Sequence, residues 1–166
     1  MTHMGVEDYY GRDTSDLAPF EAGIAWRGGA VAGFGATLAS VLLITAVEPE
    51  MLSQTVAGMY GLSGSLSAGL VAHLVHGTVF GVVFAVVLSD PVLVWVTDWL
   101  WKSVLAGVVF ALLLAVIGTG FLLPVWLEFA GFGTALSLPY VTNVLFAWHV
   151  LYGFVLGLVF PFVDGL

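Results

Sequence analysis

Long uncharged segments alternate with short polar ones along this chain. Between Arg27 and Glu48 lie twenty uncharged residues, 28–47, which is about the length of one membrane-spanning helix. Three further uncharged segments cover 51–89, 103–127 and 129–163. A charged group at the bilayer centre costs about 2.5–3.5 kcal/mol, so these segments mark candidate spans. The pattern predicts four transmembrane helices, at about 28–47, 66–88, 103–127 and 140–162.

Two of the uncharged segments are too long for one span and are divided by turn-forming residues. GLSGS at 61–65 separates a connecting segment, 49–63, from the second span, and Pro139 precedes the fourth span. The third span is expected to end near Pro124. Apolar residues at 52, 56 and 59 predict a short amphipathic helix within 49–61, and 125–133 is its aromatic counterpart. Both connector helices are expected to lie on the outer membrane surface.

The composition supports an integral membrane protein. Of 166 residues, 60% are hydrophobic and 8% are charged, whereas soluble domains carry about 25% charged residues. The absence of Cys excludes disulfides, thiolate nucleophiles and iron–sulfur clusters. Three basic residues against eleven acidic ones exclude a nucleic-acid partner. The predicted fold class is therefore all-α and polytopic, with the lipid bilayer as its surroundings.

The few charged residues predict the topology. Arg12 and Arg27 precede the first span and Lys102 precedes the third, whereas the connectors on the opposite side, 48–65 and 121–140, lack Lys and Arg. The positive-inside rule therefore places both termini and residues 89–98 in the cytoplasm, with the chain in the cell membrane. The connector glutamates, Glu48, Glu50 and Glu128, are interpreted as solvated. The acidic excess is typical of proteins from concentrated salt, or reflects no more than an acidic tail.

An internal repeat of about 75 residues divides the chain. HLVHGTVFGVVF (73–84) aligns without a gap on HVLYGFVLGLVF (149–160), and Trp26-Arg27 recurs as Trp101-Lys102. The predicted organisation is an acidic tail at 1–22, a first repeat at 23–98 and a second repeat at 99–166. Each repeat contains two spans, so the two repeats enter the membrane in the same direction. Their pseudo-two-fold axis then lies along the membrane normal.

These features resemble a family of small four-helix prokaryotic membrane proteins of haloarchaeal type. The resemblance rests on the duplicated His-x3-Gly-x3-Gly helices, on the Trp-basic starts and on the Gly-rich connectors, and it covers about 24–162. Some members carry the label "histidine kinase", but no segment here is long enough for an ATP-binding domain. The resemblance implies the four-helix fold and supplies no mechanism.

The repeated glycines predict close helix contacts. Residues four apart share a helix face, so each His forms a stripe with two glycines: His73, Gly77 and Gly81 in the first repeat, and His149, Gly153 and Gly157 in the second. Gly33 and Gly107 add further contact points. Small residues allow membrane helices to approach closely. Spans two and four are expected to meet each other, or each to meet the odd span of the other repeat.

The intramembrane histidines are the candidate functional residues. We expect His73 and His149 to lie at similar depth and to face inward, and three roles are open for them. They can form hydrogen bonds with backbone or hydroxyl groups, hold a haem b through two axial imidazoles, or line a path for protons or substrate. His76 is matched by Tyr152, which breaks the repeat and indicates a local difference in hydrogen bonding.

Catalysis is not indicated. No span contains Asp or Glu, and Ser63, Ser65 and Ser67 have no acid placed to complete a triad. No further ligands accompany His73 and His76 for a metal. The predicted function is a non-catalytic membrane subunit or scaffold, acting in a homo-oligomer or with other membrane subunits, and the acidic tail is expected to contact the partner. The alternatives are a haem b electron carrier and a small channel or transporter.

Overall fold

The computed structural model describes residues 25–131 and 136–166, so the predicted tail at 1–22 lies outside the described residues. Four helices are long and apolar enough to cross a membrane: Trp26–Val47, Leu66–Leu88, Leu100–Ala130 and Asn143–Val163. We label them α1 (Trp26–Val47), α2 (Leu66–Leu88), the long third helix (Leu100–Ala130) and α5 (Asn143–Val163). The described residues contain no strand. The all-α, multi-pass architecture predicted from the uncharged segments is confirmed.

Side-chain caps set the starts of two spans. The Ala68 amide donates to Ser65 Oγ over 3.2 Å, and α2 begins at Leu66 as predicted. The Leu145 amide donates to Thr142 Oγ1 over 2.9 Å, so α5 begins at Asn143, three residues later than predicted. The first amides of a helix have no intrahelical partner, and a serine or threonine at this position supplies one.

The long third helix does not end near Pro124, and that prediction is wrong. It consists of α3 (Leu100–Leu113), a π-helix (Leu114–Leu122) and α4 (Leu123–Ala130). Proline lacks an amide proton, so it leaves the carbonyl four residues earlier without its helical partner. Here that carbonyl, on Gly120, accepts the Tyr140 amide over 2.8 Å. The π-helix also redirects the Leu123 amide to the Gly118 carbonyl, so the helix continues through the proline.

As a consequence, 125–130 is the end of the third span and not a separate surface helix. At about 1.5 Å per residue, 31 residues reach about 46 Å, which exceeds the roughly 30 Å hydrocarbon core. The last two residues of the predicted second connector helix, 132–133, lie outside the described residues.

The first connector is helical as predicted, but it does not lie flat on the surface. Its central turn is a π-helix, Met51–Val56, whose side chains Met51, Leu52 and Val56 are buried against Ile44, Leu145 and Trp148. A Cβ added at Gly69 would lie 2.6 Å from the Leu52 carbonyl carbon. The glycine at this position therefore lets the connector enter the bundle beside α2.

The repeated glycines bring together the two spans of each repeat. A Cβ on Gly33 would lie 2.6 Å from the Gly77 carbonyl oxygen, and a Cβ on Gly107 would lie 2.8 Å from the Gly157 amide nitrogen. Thus α1 pairs with α2, and α3 pairs with α5. For these glycines, the prediction that the His-Gly helices meet each other, or the odd span of the other repeat, is wrong, although α5 does also pack along α1 of the other repeat. The contacts follow the aligned positions of the proposed repeat.

The two repeats meet unequally. Helix α1 packs closely along α5, where a Cβ on Gly28 would lie 2.7 Å from the Val163 carbonyl carbon. Among the described residues, α2 and the long third helix have no comparable backbone contact. An exact two-fold axis would make these two interfaces identical. The second interface instead contains a cavity.

The basic residues of the described chain stack on tryptophan rings. The Arg27 guanidinium carbon lies 5.4 Å from the centre of the Trp26 ring, and Lys102 Nζ lies 4.4 Å from that of Trp95. The Lys102 partner comes from the loop between α2 and α3, and not from the adjacent Trp101. Both cations lie at the starts of odd spans, at the same end of the bundle.

Candidate functional site

A cavity of about 600 Å³ lies between the two repeats. All four spans and the first connector line it, and most of the lining side chains are apolar. Phe80 and Phe129 line the cavity and are also exposed on the outside, at 36% and 85%. The cavity therefore reaches the outer surface between α2 and the long third helix. Its polar lining residues are Thr37, Ser40, His73, His76, Thr119, Trp126, Trp148, His149 and Tyr152.

Three phenylalanines close this interface at the end of the bundle that carries Arg27 and Lys102. We call them the aromatic cluster: Phe84, Phe110 and Phe160. The Phe84 ring lies 5.4 Å from each of the other two ring centres and is 1% exposed. Each member lies beyond the cavity-lining residues of its helix, toward the end that carries Arg27 and Lys102. The cavity is thus separated from that end by packed apolar side chains, which does not favour a channel.

His149 has hydrogen bonds at both ring nitrogens. Its Nδ1 lies 2.8 Å from the Leu145 carbonyl oxygen. A carbonyl only accepts, so Nδ1 carries the proton and Nε2 of the neutral ring is an acceptor. The Thr119 hydroxyl, 3.4 Å away on the long third helix, donates to Nε2. The imidazole is thereby held in one tautomer, in which Nε2 makes only this long contact.

The aligned pair His76 and Tyr152 makes different contacts in the two repeats. Tyr152 crosses the bundle and donates from its hydroxyl to the Gly77 carbonyl over 2.7 Å, which joins α5 to α2. His76 does not make the corresponding bond to the second repeat. Its Nε2 instead pairs with the Tyr60 hydroxyl in the first connector. The predicted local difference in hydrogen bonding is therefore present: Tyr152 bonds across the bundle, and His76 bonds within its own repeat.

Two polar groups in the cavity wall are unpartnered. Among the described residues, neither the His73 imidazole nor the Trp148 indole N–H forms a hydrogen bond. Trp148 is only 3% exposed, and His73 is half-buried within electrostatic range of His76 and His149. A polar group buried in an apolar environment without a partner costs about 1–3 kcal/mol. The cavity therefore presents one imidazole and one indole N–H to any molecule that enters it.

Two side-chain contacts join the repeats near their connectors. The Trp126 indole donates to the Met59 carbonyl over 3.2 Å, and the Tyr140 hydroxyl donates to Glu48 Oε1 over 3.3 Å. Burial and the nearby negative charge of Glu48 raise the pKa of Tyr140. The other carboxylate oxygen of Glu48 is buried without a partner in the described part of the chain. The interpretation of Glu48 as a solvated loop residue is therefore wrong, whereas Glu50 and Glu128 are exposed.

The polar groups of the cavity bear on the haem b alternative. None of its lining residues is Asp, Glu, Lys or Arg, so haem propionates would have no cationic partner. The Nε2 atom of His149 makes only the long contact with Thr119, and the haem b alternative with His73 and His149 stays a prediction. Within 25–131 and 136–166, no group of three or more His, Asp or Glu residues is placed to hold a metal ion.

The sequence identified part of this site. His73 and His149 were expected to face inward, and both line the cavity. Thr119 and Trp148 were missed, although each has a visible signal. Thr119 is a hydroxyl within an apolar span, and Trp148 is an indole placed inside a span and not at its interfacial end. The participation of Tyr60 depends on how the first connector folds back, which periodicity does not indicate.

The comparisons with known proteins leave the family unassigned. No family model matches this chain, and no curated protein and no solved structure is similar to it. The resemblance to four-helix prokaryotic membrane proteins, which rests on the His-Gly helices, therefore stays a prediction.

Proposed function

We propose that this protein is a non-catalytic integral membrane subunit that holds a lipid-soluble molecule in the cavity between its two repeats. The cavity is the observation that carries the proposal. It is large, lined mainly by apolar side chains and open toward the bilayer between α2 and the long third helix. Ligand sites have this character, being concave and mostly apolar with a few placed polar groups.

A photoreactive alkane tests this proposal. In nanodiscs, a long-chain alkyl diazirine should label peptides that line the cavity more strongly than other lipid-facing peptides. Gly118 lines the cavity, and an added Cβ there would meet no atom within 4 Å. Gly118→Leu should therefore fill the cavity without a backbone clash and should reduce its labelling to the level of the lipid-facing surface.

Gly35→Leu is the matched control. A Cβ at Gly35 also has open space around it, but Gly35 does not line the cavity. This variant should label like the parent protein. Uniform labelling of all lipid-facing helices, unchanged by Gly118→Leu, would overturn the proposal.

The proposal includes an orientation in the cell membrane, with both termini in the cytoplasm. It is supported by Arg27 and Lys102, which stack on tryptophans at one end of the bundle, and by the positive-inside rule. Because the chain lacks Cys, single introduced cysteines report on it. Val92→Cys should react with an impermeant maleimide only in opened cells, whereas Gln54→Cys should react in intact cells. The reverse labelling pattern would show that the protein has the opposite orientation.

The subunit is further proposed to act in a homo-oligomer or with other membrane subunits. The support comes from the sequence of 1–22, which is polar and acidic and precedes the first span. Deletion of residues 2–20 leaves every span intact and should lower the mass of the complex in mild detergent. An unchanged mass would remove this part of the proposal and leave the cavity's role untouched.

A further inference from the structure

The polar groups of the cavity define the head group of its ligand, an inference that rests on the proposed function. Most polar side chains in the wall already use their protons within the protein. Thr37 donates to the Gly33 carbonyl over 2.6 Å and Ser40 to the Thr37 carbonyl over 3.0 Å. The Tyr152 hydroxyl likewise donates to the Gly77 carbonyl. These groups do not need a ligand.

His73 and Trp148 are different because each lacks a partner in the described chain. A neutral imidazole offers one N–H donor and one nitrogen acceptor, and an indole offers one N–H donor. They are matched by a head group that both donates and accepts hydrogen bonds. A hydroxyl does both, whereas a hydrocarbon does neither.

The absence of charged side chains from the cavity lining restricts the head group further. No lining residue is Asp, Glu, Lys or Arg, so a carboxylate, a phosphate or an ammonium group would be desolvated without a counter-charge. An uncompensated buried charge is far more costly than a buried neutral polar group. Free fatty acids and charged phospholipid head groups are therefore poor ligands for this cavity.

We propose that the cavity binds a neutral, lipid-soluble alcohol, with its hydroxyl between His73 and Trp148 and its hydrocarbon body against the apolar wall. This class includes long-chain alcohols, isoprenoid alcohols and quinols. Such molecules partition into the bilayer and reach the cavity laterally, past Phe80 and Phe129.

Competition against the photoreactive alkane tests the inference in nanodiscs of zwitterionic phospholipid. Three competitors of equal chain length are compared: hexadecan-1-ol, hexadecanoate and hexadecane. The alcohol should compete about tenfold better than either of the others, since one or two hydrogen bonds to neutral groups are worth about 1.4 kcal/mol together. Equal competition by the three compounds would refute the inference while leaving the apolar cavity as a ligand site. Absence of cavity labelling by the alkane itself would instead refute the proposed function.

Two variants assign the selectivity to the named groups. His73→Leu and Trp148→Phe each remove a polar group and keep an apolar side chain, so each should reduce the preference for the alcohol several-fold. Labelling by the alkane should persist in both, which reports an intact fold. Thr78→Val is the control, because Thr78 lies on α2 outside the cavity lining and its hydroxyl already donates to the Leu74 carbonyl. Unchanged preference in both His73→Leu and Trp148→Phe would show that the hydroxyl binds elsewhere.

Discussion

Two interfaces join the repeats, and they differ although the repeats align. At the interface of α1 and α5, backbones meet closely beside Gly28. At the interface of α2 and the long third helix, the aromatic cluster closes the end near Arg27 and Lys102, and the cavity occupies the remainder. The close glycine contacts within each repeat are nevertheless equivalent. The alignment of the two repeats therefore predicts the contacts within each repeat well. It does not predict how the two repeats pack against each other.

The difference arises from groups that the repeats do not share. The first connector enters the bundle and buries Leu52, whereas the corresponding part of the second repeat continues the long third helix past Pro124. Tyr152 joins α5 to α2, but its aligned residue His76 pairs with Tyr60. The hydrogen bond of Tyr152 across the bundle therefore has no counterpart from the first repeat.

The largest expected effect is the loss of a helix pair within one repeat. Gly33→Leu places side-chain atoms where the Gly77 carbonyl and the Gly81 backbone lie, and Gly107→Leu does the same against Gly157. Backbone atoms cannot move aside as a flexible side chain can. Each change should therefore cost about 3 kcal/mol or more. Titration with a denaturing detergent, followed by far-ultraviolet circular dichroism, measures the losses.

Similar losses for Gly33→Leu and Gly107→Leu would support equivalent contacts in the two repeats. Gly35→Leu, with open space around its added Cβ, should have little effect and serves as the control. A loss confined to one repeat would show that the alignment does not describe the packing.

The next largest effect concerns the aromatic cluster. Phe84 is fully buried against Phe110 and Phe160, so Phe84→Ala should cost about 3 kcal/mol and extend the cavity toward its closed end. Unfolding titrations measure the cost, and the alkane label should then reach α3 near Phe110. Phe154→Ala, at a residue 47% exposed on the outside of α5, is the control and should do neither. Unchanged labelling near Phe110 would mean that the interface collapses instead of opening.

The smallest effect compares the aligned residues His76 and Tyr152. Tyr152→Phe removes the buried bond between α5 and α2 and keeps the ring, so it should destabilise the protein by about 1 kcal/mol. Tyr60→Phe removes the bond to His76, where Tyr60 is 54% exposed, and should cost less. Both are measured in the same unfolding titration. Equal costs for the two changes would contradict the view that the bond of Tyr152, unlike that of His76, joins the repeats.

Prediction from the sequence was most successful where one local property decides the structure. The start of α2 at Leu66 follows from a serine cap before an apolar segment. The continuation through Pro124 was not predictable in the same way. The Gly120 carbonyl is satisfied by the Tyr140 amide, which lies twenty residues later in the chain. A local rule for proline does not include a partner that only the folded chain supplies.

The sequence alone determined the four apolar helices, their number and the residues of the close glycine contacts. These features depend on the composition of one segment or on residue spacing along one helix. Both the transfer of an apolar segment from water into the membrane and the periodicity of a helix are local properties. Only the tertiary structure decided which helices those glycines join, where the first connector lies and that His73 and Trp148 share a cavity wall. These features depend on contacts between distant segments. In an apolar bundle many such arrangements bury similar side chains, so shape and unpaired polar groups decide among them.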